Sequence, residues 1–295
     1  TAVSAGSYHT CILRSNGTIG CWGDRTDGQA TPPTGSFTQI NSGDMHTCAL
    51  NDTGSVACWG DNGLGQASPP AGSFLQVSAG TNHTCGLRSD NTLACWGDDD
   101  PIQIPPVGSY RQVSTGDFHN CAMRSDSTLA CWGENEEGQA SPPTGTFLQV
   151  SAGSYHTCAI RSDNTVACWG LDEFGQASPP TGAFIQVSAG VDHSCGIRTD
   201  NTLVCWGDND NGQRTVPTGA FIQVSAGDYH NCAIRSDAYE GVGQEARVAP
   251  QGLRERVRYV EVEADHQAAT GQRCDFQKRT TVDCDNHYDR PSDAS

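Results

Sequence analysis

The feature that most constrains the fold is a pair of cysteines ten positions apart, the second followed by Trp-Gly, which recurs along the chain. In the copy at 158–170, an apolar run leads to Ser-Asp-Asn, a turn-forming tripeptide, and then to a β-branched run. This order predicts a β-hairpin. A turn centred on the aspartate places Cys158 opposite Cys168 and Ile160 opposite Val166. Facing cysteines on paired strands can reach the short Cβ separation that a disulfide requires.

The chain contains 15 cysteines, and their ordered pairs indicate an oxidising compartment, so we expect a secreted or cell-surface protein. Zinc is disfavoured because the close Cys-x2-Cys pairing of zinc sites is missing. Cys232 is left over, and we expect either a buried unpaired thiol or an intermolecular bridge. The predicted disulfides are Cys11–Cys21, Cys48–Cys58, Cys85–Cys95, Cys121–Cys131, Cys158–Cys168, Cys195–Cys205 and Cys274–Cys284.

The repeated phrase Val-Ser-Ala-Gly divides the chain into units that begin every 37 residues, with one step of 36. A period of this size indicates a solenoid, a propeller or an array. Each unit contains short runs without helical apolar spacing, so the fold class is all-β. With four short strands per unit, the fourth an edge strand near 214–217, the units predict a seven-bladed β-propeller with each Trp between blades. The units start at Val3, Ile40, Val77, Val113, Val150, Val187 and Val224.

The repeats occupy residues 1–237, and residues 238–295 form a divergent C-terminal segment. Within that segment, 259–262 resembles the start of a unit, and Cys274 and Cys284 recover the ten-residue spacing. The segment is therefore either a degenerate eighth unit or the completion of the seventh blade. We favour completion of the seventh blade, which would close the ring.

The phrase Val-Ser-Ala-Gly-x-x-His-Thr-Cys-Ala-Ile-Arg-x-Asp-x-Thr-Val-x-Cys-Trp-Gly resembles the repeat of the regulator of chromosome condensation family over residues 1 to about 237. The resemblance implies a seven-bladed propeller. Nuclear members of that family are exchange factors for a small GTPase and bind chromatin, but a disulfide-rich acidic chain does not suit a nucleus. The Gly-Gln-x-Thr-Val-Pro phrase at 212–217 is also similar to a secreted bacterial propeller that inhibits β-lactamases. That similarity implies that connections between first and second strands carry aromatic residues that contact a partner.

The two residues between Gly and His differ from copy to copy while the framework around them is constant. Variable loops on a rigid scaffold commonly carry function, and aromatic residues dominate binding hot spots. The alternative is that these loops vary because little constrains them. The residues predicted to bind a partner are Tyr8, Met45, Asn82, Phe118, Tyr155, Asp192 and Tyr229.

A histidine recurs at one equivalent position in every unit, which could suggest a ring of metal ligands. The spacing of equivalent residues around seven blades is too wide for one metal with bonds of about 2 Å, so we predict a repeated imidazole hydrogen bond to a neighbouring loop carbonyl. The acidic, Asp- and Asn-rich segments that follow the Trp-Gly phrases, which we call the tips, could suggest calcium, but turns favour the same residues. Examples are Asp24 to Asp27, Glu134 to Glu137 and Asp208 to Asn211. We therefore predict no metal and no cofactor. The histidines are His9, His46, His83, His119, His156, His193 and His230.

The sequence contains no nucleophile elbow, zinc-protease motif or phosphate-binding loop, so we predict that the protein is not an enzyme. The net charge of −17 opposes binding to nucleic acid or to an anionic membrane, and no run is long enough to insert into one. Acidity also favours solubility, so the charge by itself does not imply a cationic partner.

The favoured function is an extracellular, non-enzymatic propeller that binds a protein partner or serves as a scaffold, through variable loops on one face. The first alternative is a subunit that self-assembles into an extracellular filament or surface layer. The second is a carbohydrate-binding lectin. N-glycosylation is expected at Asn16, Asn51 and Asn82 if the source is a eukaryote, because each begins an Asn-x-Thr acceptor.

Overall fold

A computed structural model describes residues 1–98 and 104–236 with their side chains, and the backbone of residues 259–262. The predicted Cys274–Cys284 bridge and most of the segment 238–295 lie outside these residues. Within the described part of the chain, no helix is long and apolar enough to cross a membrane.

The described residues form seven antiparallel sheets of three strands each, with the strands of each sheet in chain order. Sheets 1 to 3 contain β1 (Ala2–Ala5), β2 (His9–Leu13) and β3 (Ile19–Gly23); β4 (Gln39–Ser42), β5 (His46–Leu50) and β6 (Val56–Gly60); β7 (Phe74–Ala79), β8 (His83–Arg88) and β9 (Leu93–Gly97). Sheets 4 and 5 contain β10 (Tyr110–Thr115), β11 (His119–Arg124) and β12 (Leu129–Gly133); β13 (Phe147–Ala152), β14 (His156–Arg161) and β15 (Val166–Gly170). Sheets 6 and 7 contain β16 (Phe184–Ala189), β17 (His193–Arg198) and β18 (Leu203–Gly207); β19 (Phe221–Ala226), β20 (Asn231–Arg235) and β21 (Tyr259–Val262).

The predicted hairpin register is confirmed, because Cys158 pairs with Cys168 and Ile160 with Val166 across β14 and β15. Disulfides join all six cysteine pairs predicted within the described residues. Cys232 is buried, and its Sγ lies 3.6 Å from the Thr10 hydroxyl of sheet 1. The two interpretations of Cys232 stay predictions.

The geometry of the turn between the second and third strands explains which residues recur in it. Its aspartate carboxylate accepts hydrogen bonds from the threonine two residues later, as Asp163 does from the amide and hydroxyl of Thr165. The residue between them has a positive φ, 67° at Asn164, and asparagine and glycine tolerate this conformation best. The equivalent position in sheet 4 holds Ser127, with a φ of 74°.

The prediction of a fourth strand was wrong. The segment 214–217 contains no strand, and each sheet ends with its third strand. The Thr215 amide donates to the Gly212 carbonyl within a turn, and Pro217 has no amide hydrogen to donate to a ladder. Val216 packs instead against the core between sheets 6 and 7, so the segment is held by a side-chain contact.

Sheet 7 receives its third strand from the divergent segment. β21 runs antiparallel to β20, with Val260 opposite Ala233 and Glu261 opposite Cys232. In the other sheets this place belongs to the strand that carries the second cysteine. The pairing supports completion of the seventh blade, and the organisation of residues 238–295 as a whole stays a prediction.

The hydrophobic core lies between adjacent sheets rather than at one centre. Between sheets 5 and 6, Ile160 packs against Phe184, Val187 and Trp206, all buried. Comparable clusters occupy the other interfaces, and Val3 of sheet 1 packs against Ile234 of sheet 7. A three-stranded sheet has two faces and cannot cover either by itself, so each sheet needs a neighbour on both sides.

Polar side chains also join neighbouring sheets through a repeated glutamine. The Gln149 amide donates to the Val187 carbonyl, and its oxygen accepts from the Val187 amide, at 2.9 Å each. Gln223 makes the same exchange with Val3. One side chain thus replaces the backbone ladder that two separate sheets cannot form with each other.

The recurring histidines join sheets as predicted, and they also have a side-chain partner that the sequence did not predict. Each imidazole Nε2 contacts a hydroxyl or amide side chain on the second strand of the next sheet. His156 Nε2 lies 2.7 Å from the Ser194 hydroxyl, and His193 Nε2 lies 2.7 Å from Asn231 Oδ1. The series returns to its start, since His230 Nε2 lies 2.9 Å from the Thr10 hydroxyl.

Five tryptophans lie between sheets, as predicted: Trp59, Trp96, Trp132, Trp169 and Trp206. The Trp169 indole donates to the Gln139 carbonyl of the preceding sheet at 2.8 Å, and Trp59, Trp96 and Trp206 make the equivalent bond. Together with the contacts of sheet 7 to sheet 1, these bonds close the described sheets into a ring. The all-β propeller with one bridge per repeat is confirmed, and the blade count stays a prediction that the seven sheets support.

The turn of sheet 4 offers a test of the positive-φ requirement. We expect Ser127→Asn to raise the free energy of unfolding by about 0.5 kcal/mol, because asparagine tolerates the left-handed conformation better than serine. Asn164→Ser, the reverse change in sheet 5, should lower it by a similar amount. Urea denaturation measures both. Equal effects of the same sign would contradict the assignment.

The buried histidines predict loss of stability in mild acid. Burial lowers the pKa of His46 and His156 to about 3 and that of His9, His119 and His230 to about 4, against an ordinary value of 6.5. Since the unfolded chain binds more protons below 6.5, stability is retained above that pH and lost as the pH falls toward 4. The melting temperature should fall steeply between about pH 7 and about pH 4. A constant melting temperature over that range would argue against neutral imidazoles at the sheet contacts.

Candidate interaction surface

The seven connections between first and second strands converge on one end of the ring, which we call the upper face. We call these connections the axial loops, each consisting of Gly and the two residues before His. Their glycines and the residues beside them line one cavity of about 80 Å³. A Cβ on Gly43 would collide with the Gly80 carbonyl oxygen, and one on Gly227 with that of Gly6. Glycine therefore allows adjacent loops to touch around the axis.

The first variable residues of the axial loops border the cavity as an inner ring. Asp44, Asp117 and Asp228 are part of its lining, together with Ser7 and Ser154. The two serines are buried, whereas the three aspartates are partly exposed. The inner ring thus brings three carboxylates from separate sheets to one opening.

The second variable residues form an outer ring that contains two aromatic pairs. Tyr8 and Tyr229 have ring centroids 6.3 Å apart, and Phe118 and Tyr155 have centroids 5.4 Å apart. Tyr8 is 52% exposed, Tyr229 40% and Phe118 39%. Large exposed aromatic side chains held as pairs on a rigid frame are typical of a protein-binding surface.

The structure places all seven predicted partner-binding residues on this face. Met45 and Asp192 are partly exposed and Asn82 is exposed. By their order in the chain, these three residues stand between the two aromatic pairs around the ring. Their role in binding stays a prediction. Two of the predicted glycosylation sites lie at the opposite end of the ring, which we call the lower face. Asn16 and Asn51 are in turns between second and third strands there.

The acidic tips that follow the third strands also belong to the upper face, which sequence reasoning missed. The Asp24 amide donates to the Tyr8 carbonyl at 2.9 Å, and the Glu134 amide to the Phe118 carbonyl at 2.8 Å. Because strands alternate in direction, each third strand ends beside the axial loop of its own sheet. The tips recur in the repeat, but only the strand directions show that they lie beside the axial loops.

Within the tips, carboxylates stabilise turns. Asp208 Oδ2 accepts from the Gln213 side-chain amide at 2.7 Å, and Asp61 Oδ2 accepts from Gln66 at 2.8 Å. These bonds explain the recurring Gly-Gln phrase and support the turn interpretation of the tips.

The upper face carries a negative potential that shifts its own ionisable groups. Burial raises the pKa of Asp228 to about 7, and the carboxylates of Asp117, Asp44 and Asp192 raise it further against the opposing Ser7 hydrogen bond. Burial and then Asp208 and Glu173 raise the pKa of Asp192. Carboxylates on different sheets therefore repel one another across this face.

The chain matches the family model of the regulator of chromosome condensation (RCC1) repeat six times. The matches lie at residues 1–29, 37–66, 74–100, 110–139, 147–176 and 184–213. These matches cover more than half of the chain. The chain belongs to this repeat family. No curated protein matches it at the level of sequence.

Two solved receptor ectodomains resemble this member of the repeat family. The CRINKLY WD40 ectodomain of the receptor kinase ACR4 from Arabidopsis thaliana is 30% identical, with a TM-score of 0.70, over 79% of this chain and 90% of that chain. The ectodomain of the receptor kinase CR4 from Physcomitrella patens is 26% identical, with a TM-score of 0.70, over 80% of this chain and 70% of that chain.

A third similar structure shares the fold at lower identity. Prp20p from Saccharomyces cerevisiae, described with its binding properties to Gsp1p and histones, is 18% identical, with a TM-score of 0.61, over 69% of this chain and 70% of that chain. Similarity at this level shows the propeller fold alone. The predicted repeat family and fold are thus confirmed.

The pKa of Asp228 predicts a gain of stability when its charge is removed. A carboxyl with a raised pKa stabilises the fold below its unfolded value of 3.8 and loses that contribution as the pH rises through about 7. Asp228→Asn should therefore raise the melting temperature at about pH 8 and change it little at about pH 4. In Asp200, a hydrogen bond from Thr202 lowers the pKa, so Asp200→Asn should give no gain. A pH-independent effect of Asp228→Asn would contradict the assignment.

Proposed function

We propose that this chain is an extracellular, non-enzymatic propeller that binds a protein partner through its upper face. The observation that carries the proposal is the outer ring, in which two aromatic pairs stand on loops fixed by the sheets below them. Three of the four rings are exposed, and that of Tyr155 is partly exposed. Rigid aromatic side chains lose little conformational entropy on binding and bury large areas, so they contribute strongly to affinity.

The framework beneath the outer ring supports a binding role that requires little rearrangement. Six of the seven histidines that follow the axial loops are buried, and His156 contacts Ser194 of the next sheet. Loops anchored in this way reach a partner already ordered, which reduces the entropic cost of association.

Two observations support the extracellular location. Six disulfides join the repeats internally, and such bridges persist in oxidising surroundings. The two plant proteins similar to this chain are described as ectodomains of receptor kinases. The chain would accordingly be secreted or displayed at a cell surface.

The protein-binding proposal is tested by removing the aromatic surface while preserving the fold. The triple variant Tyr8→Ala, Phe118→Ala and Tyr155→Ala should lose capture of the partner from extracellular proteins of the source, since each buried aromatic contributes about 2 kcal/mol at a hot spot. Its melting temperature should stay close to that of the parent. The matched control is Leu75→Ala, Leu148→Ala and Ile185→Ala, which removes three exposed apolar side chains of the lower face.

Retained capture by the aromatic variant would refute recognition through the upper face. Loss of capture in the control alone would move the binding surface to the lower face. Concentration-dependent growth of particles in light scattering would favour the self-assembling alternative, and binding to a glycan array that disappears in the aromatic variant would favour a lectin.

A further inference from the structure

The described charges are segregated between the two ends of the ring. On the upper face, the axial loops and tips carry fifteen acidic residues and only two arginines, Arg25 and Arg214. The acidic residues are Asp24, Asp27, Asp44, Asp61, Asp98, Asp117, Glu134, Glu136, Glu137, Asp172, Glu173, Asp192, Asp208, Asp210 and Asp228.

The lower face has nearly balanced charges over the described residues. Its turns contain five aspartates, and an arginine ends the second strand or follows it in six of the seven sheets. These arginines are engaged within their own sheets, as Arg161 is over the Phe147 ring at 5.4 Å. The aspartates are Asp52, Asp90, Asp126, Asp163 and Asp200, and the arginines are Arg14, Arg88, Arg124, Arg161, Arg198 and Arg235. Arg111, at the start of β10, is a seventh basic residue at this end.

Solubility alone does not explain this distribution. Charges that keep a protein soluble act from any part of the surface, and interspersed signs avoid mutual repulsion. On the upper face the carboxylates instead repel one another, as the raised pKa of Asp44 shows, with burial as the first cause and Asp117 among the others. A cationic partner on this face would relieve that repulsion.

The exposed aromatic residues of the same face define the partner further. Glu134 is adjacent to Phe118, because its amide donates to the Phe118 carbonyl. Phe174, in the tip of the next sheet, is 52% exposed. Carboxylates and aromatic rings side by side suit the ammonium of lysine and the guanidinium of arginine, which pair with the first and lie over the second. An uncharged apolar partner would leave the carboxylates desolvated and unpaired.

We propose that the upper face binds a basic protein segment, rich in lysine and arginine, seated across the aromatic pairs and surrounded by the acidic tips. This inference rests on the proposed function and deepens it by stating the chemistry of the partner. The surrounding field should also speed association, with a strong dependence on salt.

The experiment selects a displayed library of random peptides on the immobilised protein and then measures the enriched peptides by fluorescence anisotropy. The upper-face variant neutralises four tip carboxylates with Glu134→Gln, Glu136→Gln, Glu137→Gln and Glu173→Gln. The matched lower-face variant removes the same net charge with Asp90→Asn, Asp126→Asn, Asp163→Asn and Asp200→Asn, in which the asparagine oxygen still accepts the hydrogen bonds of the turn.

We expect enriched peptides to carry net positive charge and to bind the upper-face variant about tenfold more weakly, at about 0.15 M salt, and the lower-face variant almost as well as the parent. Equal weakening by both variants would show that net charge alone attracts the peptides and would overturn the inference. A selection that enriches no peptide would also count against it.

The failure of the inference is distinguishable from that of the proposed function. Enriched peptides that are neutral or acidic, yet lose binding in the variant with Tyr8, Phe118 and Tyr155 changed to alanine, would refute a basic partner and leave recognition through the upper face intact. Basic peptides that bind this alanine variant as well as the parent would contradict both.

Discussion

The packing of each three-stranded sheet against its two neighbours is the constraint on which the rest of the structure depends. Each sheet is too narrow to enclose a core, so its second strand is buried by the adjacent sheets on either side. The ring is the arrangement in which every sheet has two neighbours and neither end of the series is left uncovered. Sheet 7 meets sheet 1 through Val3, Gln223 and His230 with the same types of contact that join the others.

Polar groups specify how the sheets are aligned. A hydrophobic interface alone would let one sheet slide over the next, whereas the imidazole of His156 and the amide of Gln149 each require a particular partner one repeat away. Burial keeps the imidazole neutral, so the contact needs no buried charge. The alignment that results brings the axial loops together at one opening, and the upper face is a consequence of it.

Much of the fold could be predicted from the sequence because the informative contacts are local. The pairing of Cys158 with Cys168 follows from a turn between them, and the role of each tryptophan follows from its place in the repeat. The partner of His156 was missed because Ser194 lies in the next unit, although the recurrence of Thr, Ser or Asn after each histidine was a usable signal. The fourth strand was a wrong inference from the tolerance of edge strands for proline, applied to the segment that contains Pro217.

Only part of the site could be predicted from the sequence, for a similar reason. The variable residues of the axial loops stand out because a constant framework surrounds them, and the structure places Tyr8 and Tyr229 side by side. The acidic tips are distant from these loops in the chain, and their turn residues resemble ordinary loops. Strand direction brings both to one end of the ring, and this juxtaposition turns an overall negative charge into a charged face.

The central claim is that a protein partner contacts the upper face of a rigid ring. Hydroxyl-radical footprinting of the free protein and of its complex with the captured partner measures this directly, because oxidation reports solvent access at each aromatic or aliphatic side chain. We predict protection of Tyr8, Phe118, Tyr155 and Tyr229, with unchanged oxidation of Leu75, Leu148, Ile185 and Ile222 on the lower face. Protection of the lower-face side chains with the four aromatic residues still oxidised would contradict the account.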